Sequence, residues 1–294
     1  MRRLPLAVLF VLLGILDGAP IRESRERRFP QAIIIGVKKA GTRALLEFLR
    51  LNPWIKAPGP EVHFFDRNYE KGLEWYRDQM PSTLENEITI EKSPAYFHNK
   101  LVPERVKQFN PNVKLIVVLR DPISRAVSDY TQSRSKKQKK HGSSVPSFEK
   151  MAVGDCAPWS HHNCSVKTRG VNENWGAVRN GMYQKFLKKW LALFPLEQFH
   201  FVDGQRLVSE PAHEVRRVEN FLGLKPVVHD ADFAVDPVKK FPCIRKKGEA
   251  LHCLGKTKGR KHPDVAEPVV RRLKRFYEPE NEKLFDMIHQ RFDW

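Results

Sequence analysis

Two short apolar runs predict strands that are covered on both faces. Residues 32–37 (AIIIGV) and 115–119 (LIVVL) are continuous and rich in β-branched side chains, which is typical of strands inside a parallel sheet. Each run is followed by a stretch with helical character. In residues 42–51 the apolar side chains recur on one helical face, and residues 123–133 can form a second helix.

The rest of the chain continues this alternation. Residues 88–90 and 199–202 are further strand candidates, and residues 175–194 and 265–277 have the pattern of helices. Strands that alternate with helices predict an α/β fold, with a mainly parallel central sheet flanked by helices in a single domain. The charged run RSKKQKKH at 134–141 favours a solvated loop, with a contact surface for a sulfated chain as the alternative.

The amino terminus has the pattern of a targeting segment. Two arginines precede an apolar run at 4–16, and small residues follow it, so residues 1–19 are predicted to be a signal peptide or a short signal anchor. The run is shorter than the roughly 20 residues of a spanning helix. Residues 20–30 are then a charged stem, and residues 31–294 form the folded domain. Either kind of leader directs this domain into the secretory lumen.

The four cysteines fit an oxidising compartment. Cys156 is close to Cys164, and Cys243 is close to Cys253, so two local disulfides are the simplest of three pairings, with four free thiols as the alternative. The cysteine spacings lack the CxxC pair that is typical of zinc sites, so no metal site is expected. Asn163 lies in the single Asn-x-Ser/Thr sequon and is the candidate glycosylation site.

Net charge narrows the choice of partner. The chain carries 52 Lys plus Arg against 34 Asp plus Glu, a formal charge of +18. Such a balance favours a polyanion: nucleic acid, an anionic membrane or a sulfated glycan. Charge alone does not choose among these three.

The loop after the first strand has the pattern of an anion site. In residues 36–43 (GVKKAGTR) two glycines bracket a turn into a helix, and such a turn directs backbone N–H groups at phosphate or sulfate. Thr42 and Arg43 stand where a kinase P-loop has Lys-Ser/Thr, and the lysine comes earlier, at Lys39. An ordinary strand-to-helix turn would also use both glycines.

The second strand ends in a further candidate site. Arg120 offers a planar donor fork suited to a phosphate dianion, and Ser128 can add a hydroxyl from the following helix. Under a kinase hypothesis Asp121 would instead hold magnesium. A surface salt bridge for Arg120 and a plain helix-surface position for Ser128 are the structural alternatives.

Five sequence blocks, in the same order as in a known protein family, give these segments a specific interpretation. The chain resembles the heparan sulfate glucosamine 3-O-sulfotransferase family over most of residues 31–294, and the resemblance is carried by GVKKAGTRALLEFL, EVHFFDRNY, ITIEKSPAYF, KLIVVLRDPISRAVSDYTQ and, after FPC, CLGKTKGRKHP. The family usually has glycine where this chain has Ala40, so one extra methyl is expected beside the bound donor.

The resemblance implies an enzyme of the Golgi lumen or secretory pathway. It would transfer a sulfuryl group from 3′-phosphoadenylyl sulfate (PAPS) to the 3-hydroxyl of glucosamine in heparan sulfate, with Glu61 as general base and with Lys39 and His63 also catalytic. A sugar hydroxyl hardly ionises at neutral pH, so a carboxylate must take its proton. The implied donor-binding residues are Lys39, Ala40, Gly41, Thr42, Arg43, Arg120, Ser128, Thr257, Lys258, Gly259, Arg260 and Lys261.

The resemblance also implies an acceptor cleft. Its residues would be Arg43, Glu61, His63, Asp66, Lys92, Gln132 and Trp175. Glycines at positions 59 and 255, which flank the cleft in this family, imply acceptance of glucosamine beside 2-O-sulfated iduronate. Nucleic acid is then not a partner, and membrane contact is limited to an uncleaved anchor. The alternatives are an N- or 6-O-sulfotransferase, a P-loop kinase, and a secreted heparin-binding protein without catalysis.

Overall fold

The computed structural model describes residues 24–141, 145–154, 170–238, 240–245, 250–255 and 262–294, with the backbone alone at 139–141. Outside the described residues lie the predicted leader, Cys156, Asn163, Cys164 and the loop Thr257–Lys261. Within the described part, none of the helices is both long enough and apolar enough to span a bilayer.

Most strands of the fold are short. In chain order they are Glu26–Arg27 (β1), Ala32–Gly36 (β2), Ile55–Lys56 (β3), Ser82–Thr83 (β4), Ile88–Lys92 (β5), Lys114–Leu119 (β6), Phe199–Asp203 (β7), Phe233–Val235 (β8) and Pro242–Ile244 (β9).

Helices fill most of the connections between the strands. They are Thr42–Leu49 (α1), Phe64–Arg67 (α2), Gly72–Asp78 (α3), Val102–Phe109 (α4), Pro122–His141 (α5), Phe148–Val153 (α6), Gly176–Arg179 (α7), Tyr183–Leu191 (α8), Arg206–Ser209 (α9), Pro211–Leu222 (α10) and Glu267–Ile288 (α11).

Five of the described strands form one sheet in the order β3-β5-β2-β6-β7. Every neighbouring pair is parallel, so the predicted parallel α/β sheet is confirmed. All five residues of β2 are buried, as its run of β-branched side chains predicts. The chain leaves β2 to one side for β5 and returns on its other side for β6. The crevice at the carboxyl end of β2 is therefore the topological switch point, where α/β sheets bind ligands.

Two apolar clusters hold the elements together. The larger one covers the sheet and includes the inward face of α1. The second lies beneath α5, α6, α7 and the amino-terminal half of α11. Cys243 and Cys253 form a disulfide, which confirms that predicted pair and ties β9 to the segment at His252.

Three predicted boundaries were wrong. The helix predicted at 265–277 continues through Pro279 and spans Glu267–Ile288. Residues 134–141 continue α5 instead of forming a loop, because lysine, arginine and glutamine are good helix formers and a polar run indicates only solvation. Residues 175–194 form two helices, α7 and α8, instead of one. The break lies at Gly181, where a Cβ atom would come within 2.9 Å of both Pro122 and the Tyr277 hydroxyl.

Candidate active site

The loop between β2 and α1 is shaped as an anion cradle. Gly41 caps α1 with φ of 118°, a conformation that favours glycine, and it offers no side chain to the first helical N–H groups. These amides and the positive end of the helix are therefore left for a ligand. Lys39 also has a left-handed backbone, with φ of 75°. Gly204 lets this loop pass closely, since a Cβ there would lie 2.4 Å from the Ala40 carbonyl oxygen.

A cleft of about 900 Å³ opens at this loop and is strongly cationic. Among the described residues that line it, Glu61 is the single carboxylate. Six basic side chains line the same space: Lys38, Lys39, Arg43, Arg67, Arg120 and Lys136. Low-dielectric walls concentrate the field of these cations, so the cleft attracts an anionic substrate.

Arg120, at the carboxyl end of β6, has a side chain suited to binding an anion. Its buried Nε has no hydrogen-bond partner among the described residues, and burial lowers the pKa of its guanidinium. A buried donor on a cation is costly unless a ligand completes it. Ser128 and His262 line the same cleft, and burial, together with Arg120 and Lys39, lowers the pKa of His262.

Asp121 has a structural role next to Arg120. Its carboxylate accepts hydrogen bonds from the backbone N–H groups of Ser124 at 2.8 Å and Ile123 at 3.4 Å. It therefore caps the start of α5. This capping explains the aspartate without a magnesium ion, and Asp121 is not among the described residues that line the cleft.

A chain of polar side chains surrounds Glu61 at the other part of the cleft. Lys92 Nζ donates to Glu61 Oε1 at 2.5 Å, and His63 Nε2 lies 3.1 Å from Glu61 Oε2. The other ring nitrogen of His63 lies 3.1 Å from both carboxylate oxygens of Asp66. Asp66 thus orients the imidazole, and the imidazole and Lys92 together orient Glu61.

These neighbours keep Glu61 ionised. Burial by itself raises the pKa of this carboxyl, but the Lys92 ammonium and the His63 ring outweigh burial and hold the pKa below its ordinary value. The side chain is 41% exposed, so a substrate can reach it. The group is thus a solvent-accessible carboxylate that can accept a proton at neutral pH.

A buried ion pair supports the loop from below. Arg125 is fully buried, pairs with Asp129 at 3.3 Å, and also donates to the Lys38 carbonyl oxygen at 3.4 Å. Asp129 in turn lies 2.8 Å from Lys38 Nζ. Both groups come from α5, so the helix after β6 fixes the loop after β2.

Most of the site residues predicted from the sequence meet in this one cleft. Those that line it are Lys39, Gly41, Thr42, Arg43, Glu61, His63, Arg120, Ser128 and Gln132. Asp66 and Lys92 join it through the bonds to His63 and Glu61. The predictions for Thr257–Lys261 fall outside the described residues.

Two predicted site residues lie elsewhere. The Ala40 side chain is buried in the larger apolar cluster, and its N–H donates to the Val37 carbonyl oxygen, so the extra methyl does not crowd the cleft. Trp175 packs edge-on against Tyr130 and Phe148 and is not among the described lining residues.

Sequence reasoning missed four cationic or titratable residues in the cleft: Lys38, Arg67, Lys136 and His262. Lys38 directly precedes the predicted Lys39. Lys136 belongs to the charged run, and its place in the cleft agrees with the contact-surface alternative for that run. The spacing of Arg67 and His262 gave no separate signal.

Comparison with known proteins agrees with this geometry. A model of the sulfotransferase domain matches residues 29–287. A solved sulfotransferase from Alicyclobacillus acidocaldarius superposes with a TM-score of 0.64 at 19% identity, covering 90% of this chain and 98% of that one. At this low identity, the structural likeness concerns the fold.

Sequence similarity is much higher to a set of mammalian enzymes. Human heparan sulfate glucosamine 3-O-sulfotransferase 6 is 51% identical over 270 residues, which are 91% of this chain and 74% of that protein. The mouse 3A1 and 3B1 enzymes of the same name are 49% and 50% identical over 94% and 91% of this chain. The chain spans about two thirds of these two relatives, 67% and 65% of their lengths. It belongs to the sulfotransferase family and, within it, to the heparan sulfate glucosamine 3-O-sulfotransferases.

Proposed function

We propose that this protein transfers the sulfuryl group of PAPS to the 3-hydroxyl of a glucosamine residue in heparan sulfate. One observation carries the proposal: a single cleft holds an accessible carboxylate, Glu61, together with a helix-start loop suited to an anion and Arg120, whose buried Nε has no partner among the described residues. This combination supports a base for the acceptor and a binding site for the donor in one cleft. The acceptor is inferred from the relatives, which are heparan sulfate glucosamine 3-O-sulfotransferases, and the donor is inferred from the sulfotransferase fold.

The donor is expected to lie along the cationic part of the cleft. The first N–H groups of α1 would hold the 5′-phosphosulfate, and Arg120 with Ser128 would hold the 3′-phosphate. When the sulfur–oxygen bond to the 5′-phosphate breaks, negative charge develops on the leaving oxygen. Lys39 would neutralise that charge, and such fixed cations lower the barrier most.

Glu61 would act on the acceptor. Its carboxylate accepts the proton of the glucosamine 3-hydroxyl while the oxygen forms its bond to sulfur. The sulfated sugar and adenosine 3′,5′-bisphosphate leave as products. His63 and Lys92 orient Glu61, and Arg43 and Gln132 line the same space for the sulfated sugar.

The location and processing of the chain are part of the same proposal. Residues 1–19 would act as leader, residues 20–30 as stem and residues 31–294 as catalytic domain, which would work in the Golgi lumen. The disulfide between Cys243 and Cys253 suits that oxidising compartment. The second disulfide and glycosylation at Asn163 stay predictions.

The proposal is tested by transfer of labelled sulfate. The protein is incubated with ³⁵S-labelled PAPS in three separate reactions, which contain heparan sulfate, unsulfated heparosan or chondroitin sulfate as the acceptor. Label is expected in heparan sulfate in a form that heparin lyases release. A protein that binds heparin and adenosine 3′,5′-bisphosphate yet labels none of the three glycans would instead be a non-catalytic binder.

Transfer is predicted to need no metal ion. A sulfuryl group carries less negative charge than a phosphoryl group, and six cationic side chains line the cleft in which the donor is expected to bind. Activity is expected to stay unchanged in EDTA, measured as label incorporated per minute. Complete loss in EDTA with recovery on adding magnesium would contradict this mechanism.

Replacing Lys92 with methionine is predicted to move the acid limb of the pH profile to higher pH. The ammonium of Lys92 helps to hold the pKa of Glu61 down, so its removal raises that pKa. A base with a raised pKa becomes protonated earlier as pH falls. The measurement is kcat against pH, with the exposed Lys100→Met as control. Identical acid limbs in the two variants would show that Lys92 does not tune the base.

Gly59 and Gly255 are predicted to permit 2-O-sulfated iduronate beside the acceptor. A Cβ atom at either position would meet nothing within 4 Å among the described atoms, so larger side chains fit there, at the positions that the family resemblance assigns to the cleft entrance. The resemblance implies that members of the family that make the antithrombin-binding site tend to carry a carboxylate and a histidine at these two positions. The double variant Gly59→Glu with Gly255→His should therefore yield more antithrombin-binding product. The product profile is measured by disaccharide analysis. An unchanged profile, or a parent enzyme that already makes mainly antithrombin-binding chains, would contradict the prediction.

A further inference from the structure

His63 has a backbone conformation that its surroundings must enforce. Its φ and ψ are 53° and 37°, in the left-handed region that residues other than glycine seldom adopt. Such a conformation persists where neighbouring contacts over-determine it, and it clusters at functional sites. The turn at His63 directs the imidazole to Glu61 and begins α2, which carries Asp66.

One contact on this backbone comes from a distant part of the chain. The His63 N–H donates to Ser93 Oγ at 2.9 Å. Ser93 follows β5 directly and is fully buried. Its hydroxyl donates in turn to Glu91 Oε1 at 2.5 Å. A hydroxyl has a single proton, so donation to Glu91 leaves an oxygen lone pair for the His63 N–H.

Glu91 is itself buried completely, within β5. Burial raises its pKa to about 7, against the opposing effects of the Ser93 hydrogen bond and the Lys92 ammonium. A carboxyl in this position is costly to bury. It is not among the described residues that line the cleft, so it does not meet substrate. Its neighbour Lys92 binds Glu61 from the same strand.

We propose that Glu91 and Ser93 are positioning residues for the base. Glu91 orients the Ser93 hydroxyl, and that hydroxyl fixes the left-handed backbone at His63, from which the imidazole holds Glu61 in place. The inference rests on the proposed role of Glu61. It predicts that Glu91 and Ser93, which have no access to substrate, affect kcat through the position of Glu61.

The first test removes one hydroxyl and compares it with a matched control. Ser93→Ala leaves the His63 N–H without its partner. The His63 backbone is then free to leave the conformation that directs the imidazole to Glu61, and kcat is expected to fall about tenfold or more. Thr89→Val is the control. Thr89 is also fully buried on β5, and its hydroxyl has no partner among the described residues, so kcat should stay within about twofold. Both variants should bind adenosine 3′,5′-bisphosphate as the parent does.

The second test asks whether Ser93 acts through Glu61. Ser93→Ala is combined with Glu61→Gln, and kcat is measured for the two single variants and the double variant. If Ser93 only positions the base, the serine change causes no further loss once the base is absent. An equal fold-loss in both backgrounds would assign Ser93 a general structural role and overturn the proposal. A Ser93→Ala enzyme as fast as Thr89→Val would overturn it as well.

A second pair of variants covers the case in which Ser93→Ala does not fold. The amide oxygen of Glu91→Gln still accepts the Ser93 proton, so kcat should remain within about threefold of the parent, whereas Glu91→Leu should match the large loss expected for Ser93→Ala. Equal kcat values for the two Glu91 variants would overturn the proposal. If the proposed function itself is wrong, the parent transfers no sulfate or Glu61→Gln is fully active, and these outcomes differ from all of the above.

Discussion

Replacing Glu61 with glutamine is expected to lower kcat by about 10²–10⁴-fold, the usual contribution of a general base. The amide keeps the shape of the side chain and can still accept the Lys92 hydrogen bond. It cannot take the proton of the sugar hydroxyl. Binding of donor and of heparan sulfate is therefore expected to stay close to that of the parent, and the loss should appear in kcat and not in KM.

The control for this experiment is a carboxylate away from the cleft. Glu74→Gln removes the same charge at a side chain that is 74% exposed and pairs with Arg77 on the surface of α3. Its kcat should match that of the parent. A Glu61→Gln enzyme with turnover within a few-fold of the parent would remove Glu61 from the role of base.

Replacing Arg120 with alanine is expected to weaken binding of adenosine 3′,5′-bisphosphate by roughly 10–100-fold, the usual effect of deleting a hydrogen bond to a charged group. Adenosine 5′-monophosphate, which lacks the 3′-phosphate, should lose little. The physical reason is that Arg120 lines the cleft and that its buried Nε has no partner among the described residues, so a phosphate is expected to complete the hydrogen bonding of the guanidinium. Titration calorimetry with both nucleotides gives the comparison.

Two further variants sharpen the Arg120 experiment. Arg120→Lys retains the charge without the planar fork, so its affinity should lie between those of the parent and the alanine variant. Arg77→Ala removes a surface side chain that pairs with Glu74, so the affinity for both nucleotides should stay unchanged. Equal weakening of both nucleotides by Arg120→Ala would mean that the guanidinium does not meet the 3′-phosphate.

The sheet could be predicted from the sequence because its central strands are buried on both faces. Such strands have unbroken apolar runs in the sequence, as in β2 and β6. In the helices after them, the apolar residues recur at helical spacing. The end of α5 could not be predicted, because charge reports exposure to water and says little about backbone conformation. The break at Gly181 depends on Pro122 and Tyr277, which are distant in sequence.

The candidate site was predicted in its parts and not in its connections. Resemblance to a family assigns Glu61, His63 and Asp66 to one site, but not the order in which they contact each other. The support from Glu91 and Ser93 could not be predicted, since both lie in an ordinary buried strand and the turn after it. The left-handed conformation at His63 could not be predicted either, because the residue that adopts it is not a glycine. Such contacts appear only when strands from different parts of the chain come together.

The proposed enzyme delivers sulfate to one particular oxygen of its acceptor, the glucosamine 3-hydroxyl. The most direct test is two-dimensional NMR of a defined N-sulfated heparan sulfate oligosaccharide after reaction with PAPS and the parent enzyme. We expect a downfield shift of the H3 and C3 signals of one glucosamine, with no such shift when Glu61→Gln is used under the same conditions. New sulfate at a 6-hydroxyl, with the H3 and C3 signals unshifted, would contradict transfer to the 3-hydroxyl.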